Sequence, residues 1–202
     1  RDGSGKMLEI HENSVYDVFN HVAGKLCIFR DVTVERDLEK QIRHSSNTDF
    51  LTGLYNRRCF YQYIHNNRGG RTVSLMYIDL DRFKEVNDTY GHKVGDAVLV
   101  HTADVLRRLF RDDFVARLGG DEFLVVRLGK CSMDQMEQEA EAFLKEMRTA
   151  FLAAEQTVSL SASVGIAQSS DSMVDIDALL QRSDQALYQA KKAGRSRYCV
   201  YR

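Results

Sequence analysis

Residues 73–78, Val-Ser-Leu-Met-Tyr-Ile, form a nearly unbroken apolar run that ends abruptly in Asp79-Leu80-Asp81. A short continuous run of this kind suits a strand covered on both faces, with helices packed above and below the sheet. Carboxylates at the end of such a strand are expensive unless something positive binds there. This one segment therefore asks for a layered α+β fold with a cation at one edge of its sheet.

The rest of the 202-residue chain agrees with that demand. Hydrophobic residues make up 44% and charged residues 28%, the balance of a globular protein with enough apolar side chains for a core. No apolar run approaches the roughly 20 residues a bilayer span needs. With 28 Lys and Arg against 29 Asp and Glu, the net charge is −1. That balance excludes a general binder of nucleic-acid polymer, which needs a basic stripe, but leaves a single nucleotide open as ligand. Cys27, Cys59, Cys131 and Cys199 form no CxxC pair, and the histidines are scattered. Reduced thiols and a cytoplasmic setting are expected, rather than disulfides or a zinc site. The chain starts without methionine and reads as an excised piece, whose full length could be membrane-anchored upstream. Proline is absent, so turns fall to Gly, Asn and Asp.

Composition divides the chain near residue 48. Segments 6–10, 14–20 and 25–30 have strand character, with Gly24 and polar residues supplying turns. After Thr33, a candidate N-cap, Val34, Leu38 and Ile42 make a narrow stripe on a charged helix. Such a stripe fits either a two-helix coiled coil between subunits or a solvated connector. Beyond it the expected elements are helices over 57–66, 97–110, 133–152 and 176–193, with strands over 72–79, 115–118, 123–127, 158–167 and 198–201. Gly119-Gly120 joins two of these strands in a hairpin.

Asp121-Glu122 follows that glycine pair, where missing side chains let a phosphate or metal approach the backbone. Acidic groups on neighbouring strand ends are what a divalent cation with oxygen ligands requires, and bound cations suit nucleotidyl transfer. The competing reading is a surface hairpin with solvated acids. Alternation alone puts Asp79 and Asp81 on one side, but a chain turning into a helix would separate them. Asp79-x-Asp81 is no calcium loop, since Phe83 occupies the third ligand position, and no GxxxxGK[ST] or GxGxxG loop exists.

Six ordered blocks complete the pattern. They are Thr48-Asp49-Phe50-Leu51-Thr52-Gly53-Leu54-Tyr55-Asn56-Arg57-Arg58, then Asp79-Leu80-Asp81-Arg82-Phe83-Lys84-x-Val86-Asn87-Asp88, and Gly91-His92-x-x-Gly95-Asp96. Arg117-x-Gly119-Gly120-Asp121-Glu122-Phe123, Ser163-Val164-Gly165-Ile166-Ala167 and Ala186-Leu187-Tyr188-x-Ala190-Lys191-x-x-Gly194-Arg195 follow. From about Asn47 to Arg202 the chain resembles the GGDEF family of diguanylate cyclases. Residues 1–33, ending in Arg30-Asp31-Val32-Thr33, are similar to the last strands of a PAS sensor domain.

The resemblance implies a polymerase-palm-like, nucleotidyl-cyclase-like α+β fold: a mixed sheet surrounded by helices, at 48–202. A truncated PAS-like part would occupy 1–33 and a signalling helix 34–47. It implies condensation of two GTP molecules into cyclic di-GMP with release of two pyrophosphates. Magnesium, with manganese as a substitute, would be held by Asp79, the Leu80 carbonyl and Asp121. Asp79, Asp121 and Glu122 would be the catalytic set, and the Asp121 position holds Glu in some members. Asn87 and Asp96 correspond to guanine contacts; Lys84, Lys191 and Arg195 to triphosphate contacts, beside Gly119 and Gly120. Lys191 and Arg195 could act from one helix end, provided Gly194 does not terminate the helix first. His92 is expected to be a structural hydrogen-bonding residue. One domain holds one GTP, so the resemblance implies a homodimer, regulated by an upstream sensor. Many members also carry an RxxD product-inhibition site. Here Asp113 is present, but Phe110 stands in the arginine position, so the site is degenerate. Arg111 lies about 100° further round a helix, which leaves it and Arg108 as the guanidiniums that could substitute. Two other readings stay open: a GTP-binding regulatory module without turnover, and an interaction module built on the N-terminal part.

Overall fold

The computed structural model describes residues 6, 8–34, 47–169 and 175–202. The chain forms two compact units, residues 1–46 and 47–202.

In the first unit, β1 (Leu8–Tyr16) pairs antiparallel with β2 (Val22–Asp31). The turn falls at 17–21, overlapping the segment 14–20 expected to be extended, and Gly24 lies within β2. The cause is local. The Asp17 carboxylate accepts the N–H groups of Phe19 and His21, each at 2.8 Å, and Asn20 adopts φ 64°. Of the stripe Val34, Leu38 and Ile42, only Val34 is among the described residues.

The second unit is built on a six-stranded sheet of order β10-β9-β4-β6-β5-β3. These strands are β3 (Tyr55–Asn56), β4 (Val73–Leu80), β5 (Phe114–Gly119), β6 (Glu122–Leu128), β9 (Ala162–Gln168) and β10 (Tyr198–Val200). β4 runs antiparallel to both neighbours, β6 and β9, while the outer pairs β3–β5 and β9–β10 are parallel. The sheet is therefore mixed, as expected, and β4 is central. Met76, Ile78 and Leu80 face one apolar layer, formed with α2 (Phe83–Tyr90), α3 (His92–Leu109) and α4 (Met133–Met147). Val73, Leu75 and Tyr77 face the other, formed with α1 (Arg57–Asn67) and α5 (Ile176–Lys192). Two-sided burial is what the apolar run in β4 required. Among the described residues no helix is long and apolar enough to cross a membrane.

The strand expected over 158–167 begins only at Ala162, and two further elements differ. The helix expected over 133–152 stops at Met147, and Phe151 and Leu152 enter a small hairpin of β7 (Phe151–Ala153) and β8 (Gln156–Val158). Ala154 and Glu155 turn this hairpin at φ 46° and 69°, a conformation for which neither residue signals. Phe151 stacks on His101 of α3 at 3.7 Å between ring centroids. The segment before residue 97 is helical too: α2 and α3 meet at Gly91, whose φ of 82° breaks the helix. Gly165 in β9 lets α5 lie directly on the sheet, since a Cβ there would meet the Ser183 carbonyl at 2.0 Å. That close approach places the C-terminal end of α5 beside the end of β4.

Candidate active site

β4 and β6 are in register such that Asp79 lies opposite Glu122. Directly opposed residues of an antiparallel pair project from the same face, so both carboxylates stand on the α1–α5 side. Asp121 occupies the turn just before β6, and its carbonyl accepts the Leu80 N–H at 3.3 Å. Three of the expected acidic residues and Leu80 thus come together at one end of the two central strands.

A cation from the protein already sits there. Lys191 Nζ lies 2.8 Å from Asp79 Oδ1, the two side chains being 33% and 15% exposed. Burial, aided by the charges of Asp121 and Asp81, nevertheless pushes the Asp79 carboxyl above its usual range, against the pull of Lys191. A carboxylate that one ammonium does not fully compensate is a fitting ligand for a divalent ion. Among the described residues no three His, Cys, Asp or Glu side chains converge as a cage. The oxygens expected to hold a metal, the carboxylates of Asp79 and Asp121 and the Leu80 carbonyl, would leave coordination positions for substrate oxygens.

Glu122 has neighbours that the motif did not announce. Arg57 Nη2 lies 3.9 Å from its Oε2, and the buried Tyr77 phenol is close enough to feel its charge. Desolvation, then the Glu122 charge, raises the Tyr77 phenol far above its ordinary value, so it stays a donor.

The glycine turn is clamped from behind. Arg117 Nε donates to the Gly120 carbonyl at 2.9 Å and Nη2 to the same oxygen at 2.7 Å, while Nη1 reaches Asp49 Oδ1 at 2.9 Å. Asp49 also accepts the Thr52 N–H and hydroxyl at 2.8 and 2.7 Å. Burial opposes its charge, but these Thr52 bonds and Arg117 outweigh it and hold the carboxyl below the usual range. With Gly119 at φ 148° and Gly120 at φ 53°, the turn is one that glycine alone adopts cheaply. Both Asp49 and Arg117 stand in the motif blocks, where spacing assigned them no role.

The residues expected to contact the base lie on the paired helices. A Cβ on Gly95 would meet Asn87 Oδ1 at 2.0 Å, so this glycine lets α2 and α3 close with Asn87 between them. Asp96 follows on α3 and is exposed, as are Lys84 on the first turn of α2 and His92 at the start of α3. Arg195 is exposed and lies beyond α5, which ends at Lys192; Gly194 at φ 115° follows. Lys191 and Arg195 thus do not share a helix.

Two acidic residues stand apart. Asp81 leaves the cluster because Arg82 turns the chain at φ 57° into α2, and its carboxylate is buried among serines. Asp113 is bound bidentately by Arg127, through Nε at 2.8 Å and Nη2, and its side chain is 5% exposed. Phe110 is buried in the core. Arg108 pairs with Glu146 across α3 and α4, while Arg111 borders a cavity with Asp113 and Tyr55.

Residues 46–197 match the family described as diguanylate cyclase, GGDEF domain. The chain belongs to that family. It is 37% identical over 178 residues to the diguanylate cyclase DgcM of Escherichia coli K12, covering 85% of this chain and 42% of that protein. It is 38% identical over 180 residues to the cyclic di-GMP phosphodiesterase PdeR of the same strain, covering 86% of this chain but 27% of that protein. Among solved structures, the coiled coil and GGDEF domain of DgcB from Caulobacter crescentus in complex with c-di-GMP superposes with a TM-score of 0.77. That match has 28% identity and covers 84% of this chain and 93% of the other. The GGDEF domain of PA1120 from Pseudomonas aeruginosa matches at 35% identity and a TM-score of 0.67, covering 77% and 94%. The chain thus spans less than half the length of these two curated relatives.

Proposed function

We propose that residues 47–202 are a diguanylate cyclase, joining two GTP molecules into cyclic di-GMP and releasing two pyrophosphates. The observation that carries this reading is the meeting of Asp79, Asp121 and Glu122 at one end of the two central strands, with Lys191 already 2.8 Å from Asp79. Magnesium would be held by Asp79, Asp121 and the Leu80 carbonyl. When bound, it neutralises the triphosphate and lowers the pKa of the attacking 3′-hydroxyl. The protein's own groups supply the rest. Lys191, Lys84 and Arg195 hold the phosphates as charge-assisted donors. Asp96 accepts the N1–H and exocyclic amine of guanine, donors that adenine does not present in that arrangement, and Asn87 contacts the same base. Glu122, oriented by Tyr77 and Arg57, keeps negative charge beside Asp79. Arg117 holds the turn that lets the phosphates approach Gly119 and Gly120. Each domain holds one GTP, so two domains face each other across a two-fold axis to close the ring. Residues 34–47 join this unit to an N-terminal part that we read as the end of a PAS-like sensor domain.

The likeness to a protein named a phosphodiesterase favours a second reading, a GTP-binding regulatory module. Incubating the purified protein with GTP and magnesium separates the two. The cyclase forms cyclic di-GMP, whereas GTP bound and recovered unchanged would support the module.

A further inference from the structure

Asp81 shares a tripeptide with Asp79 but none of its surroundings. It is 5% exposed, and its N–H donates to the Ser161 carbonyl at 2.8 Å. Its carboxylate accepts three hydrogen bonds from the protein. Ser161 Oγ donates to Oδ2 at 2.6 Å, Ser163 Oγ to Oδ1 at 2.7 Å, and the Ser196 N–H to Oδ2 at 3.0 Å. The last of these joins the exit of β4 to the turn after α5. Ser196 is held from its other side by Arg148 at the C-cap of α4, whose Nε donates to Ser196 Oγ at 2.9 Å and whose Nη2 donates to the Ser196 carbonyl.

The turn needs such anchors. Gly194, Arg195 and Ser196 have φ of 115°, 62° and 52° in succession. For Arg195 and Ser196 this left-handed conformation is unfavourable and persists only where surrounding contacts impose it. Asp81, Arg195 and Ser196 also line one open cleft of about 440 Å³, together with Arg82 and Ser161.

We infer that Asp81 is a positioning residue, a buried carboxylate that fixes the left-handed turn presenting Arg195 to the triphosphate, with Arg148 as the second anchor. The inference rests on the reading of Arg195 as a phosphate contact. It also separates the two aspartates by chemistry. Asp79 needs its charge, whereas Asp81 needs its acceptor geometry. An asparagine at 81 keeps that geometry: its carbonyl can accept from Ser161 and Ser196, and its amide can donate to the Ser163 hydroxyl, which also accepts.

The test is calorimetric titration of GTP and of GMP, with magnesium, into wild type, Asp81→Ala, Asp81→Asn, Arg148→Met, Arg195→Ala and the double variant Asp81→Ala/Arg195→Ala. Arg195→Ala and Asp81→Ala are each expected to weaken GTP about tenfold while GMP changes less than about twofold, since only the outer phosphates are lost. The double variant should bind GTP no worse than Arg195→Ala alone, and Asp81→Asn should stay within about threefold of wild type. Arg148→Met, a change at a side chain 44% exposed, should weaken GTP in the same direction. Additive losses in the double variant, or an Asp81→Asn as damaged as Asp81→Ala, would overturn the inference. If Asp81→Ala does not fold, Arg148→Met decides, and wild-type affinity there overturns it. Wild type that binds GTP no better than GMP, or Arg195→Ala without effect, would instead remove the phosphate reading on which the inference stands.

Discussion

Asp79 carries its charge where the fold disfavours it. Burial raises its carboxyl pKa above the ordinary range despite Lys191. A group whose folded-state pKa is raised favours the folded state at low pH and loses that contribution as pH climbs through the raised value. Asparagine does not titrate, so Asp79→Asn should gain in melting temperature relative to metal-free wild type as pH rises from about 4 to 7. A constant difference across that range in calorimetric melts would contradict the burial argument. The same variant should lose turnover, a trade of stability for function. Asp121→Asn and Glu122→Gln should each cut cyclic di-GMP formation by about a hundredfold or more with the fold intact, because both side chains sit at the rim of the sheet and not in its core. Retention of more than about a tenth of wild-type rate would end their assignment. Asp96→Ala should weaken GTP more than ATP in a binding titration, and equal losses would show that Asp96 does not read the base. Residue-level legibility was uneven for a physical reason. The acidic residues come as two short motifs, Asp79-Leu80-Asp81 and Asp121-Glu122, each visible in the sequence at a strand end. The partners of Asp81 lie 80 to 115 positions away, where periodicity carries no signal.

At the scale of elements, the β5–β6 hairpin is the part whose shape the chemistry depends on. Arg117 of β5 fixes its turn through Gly120 and is itself held by Asp49, which lies outside the hairpin. The base of the same hairpin is joined by Asp113 and Arg127, with Glu139 of α4 at 3.0 Å from the guanidinium. Asp113→Ala removes the bidentate partner of Arg127 but leaves Glu139 beside it, so it should cost about 1–3 kcal/mol of stability in chemical denaturation. This pairing also bears on control. With Phe110 in the core and Asp113 taken by Arg127, added cyclic di-GMP should leave the steady-state rate at saturating GTP nearly unchanged. Strong non-competitive inhibition at low product would show that Arg108 or Arg111 rebuilds the site. The central strand and the long helices α3 and α5 were legible because apolar spacing dominates them. The helix α2 was not, because Phe83 and Val86 are too few to show a period. The early end of α4 was hidden because the turn at Ala154-Glu155 adopts positive φ without a glycine to announce it.

For the whole molecule, the layered arrangement expected from one apolar run is present, with β4 between two helical layers. The two-stranded sheet of β1 and β2 is a different matter. A hairpin this small is marginal alone, and Ile10, Phe19, Val22 and Phe29 are all more than half exposed. If two such chains must face each other to close a ring from two GTP molecules, the rate per molecule of enzyme cannot be constant. The most direct test is therefore the specific rate of cyclic di-GMP formation, with GTP and magnesium saturating, over a dilution series of the protein. The rate per protomer should climb with concentration to a plateau, with two pyrophosphates released for each cyclic di-GMP. Full activity at dilutions where sedimentation finds only monomer would contradict the account, as would GTP turnover without cyclic di-GMP.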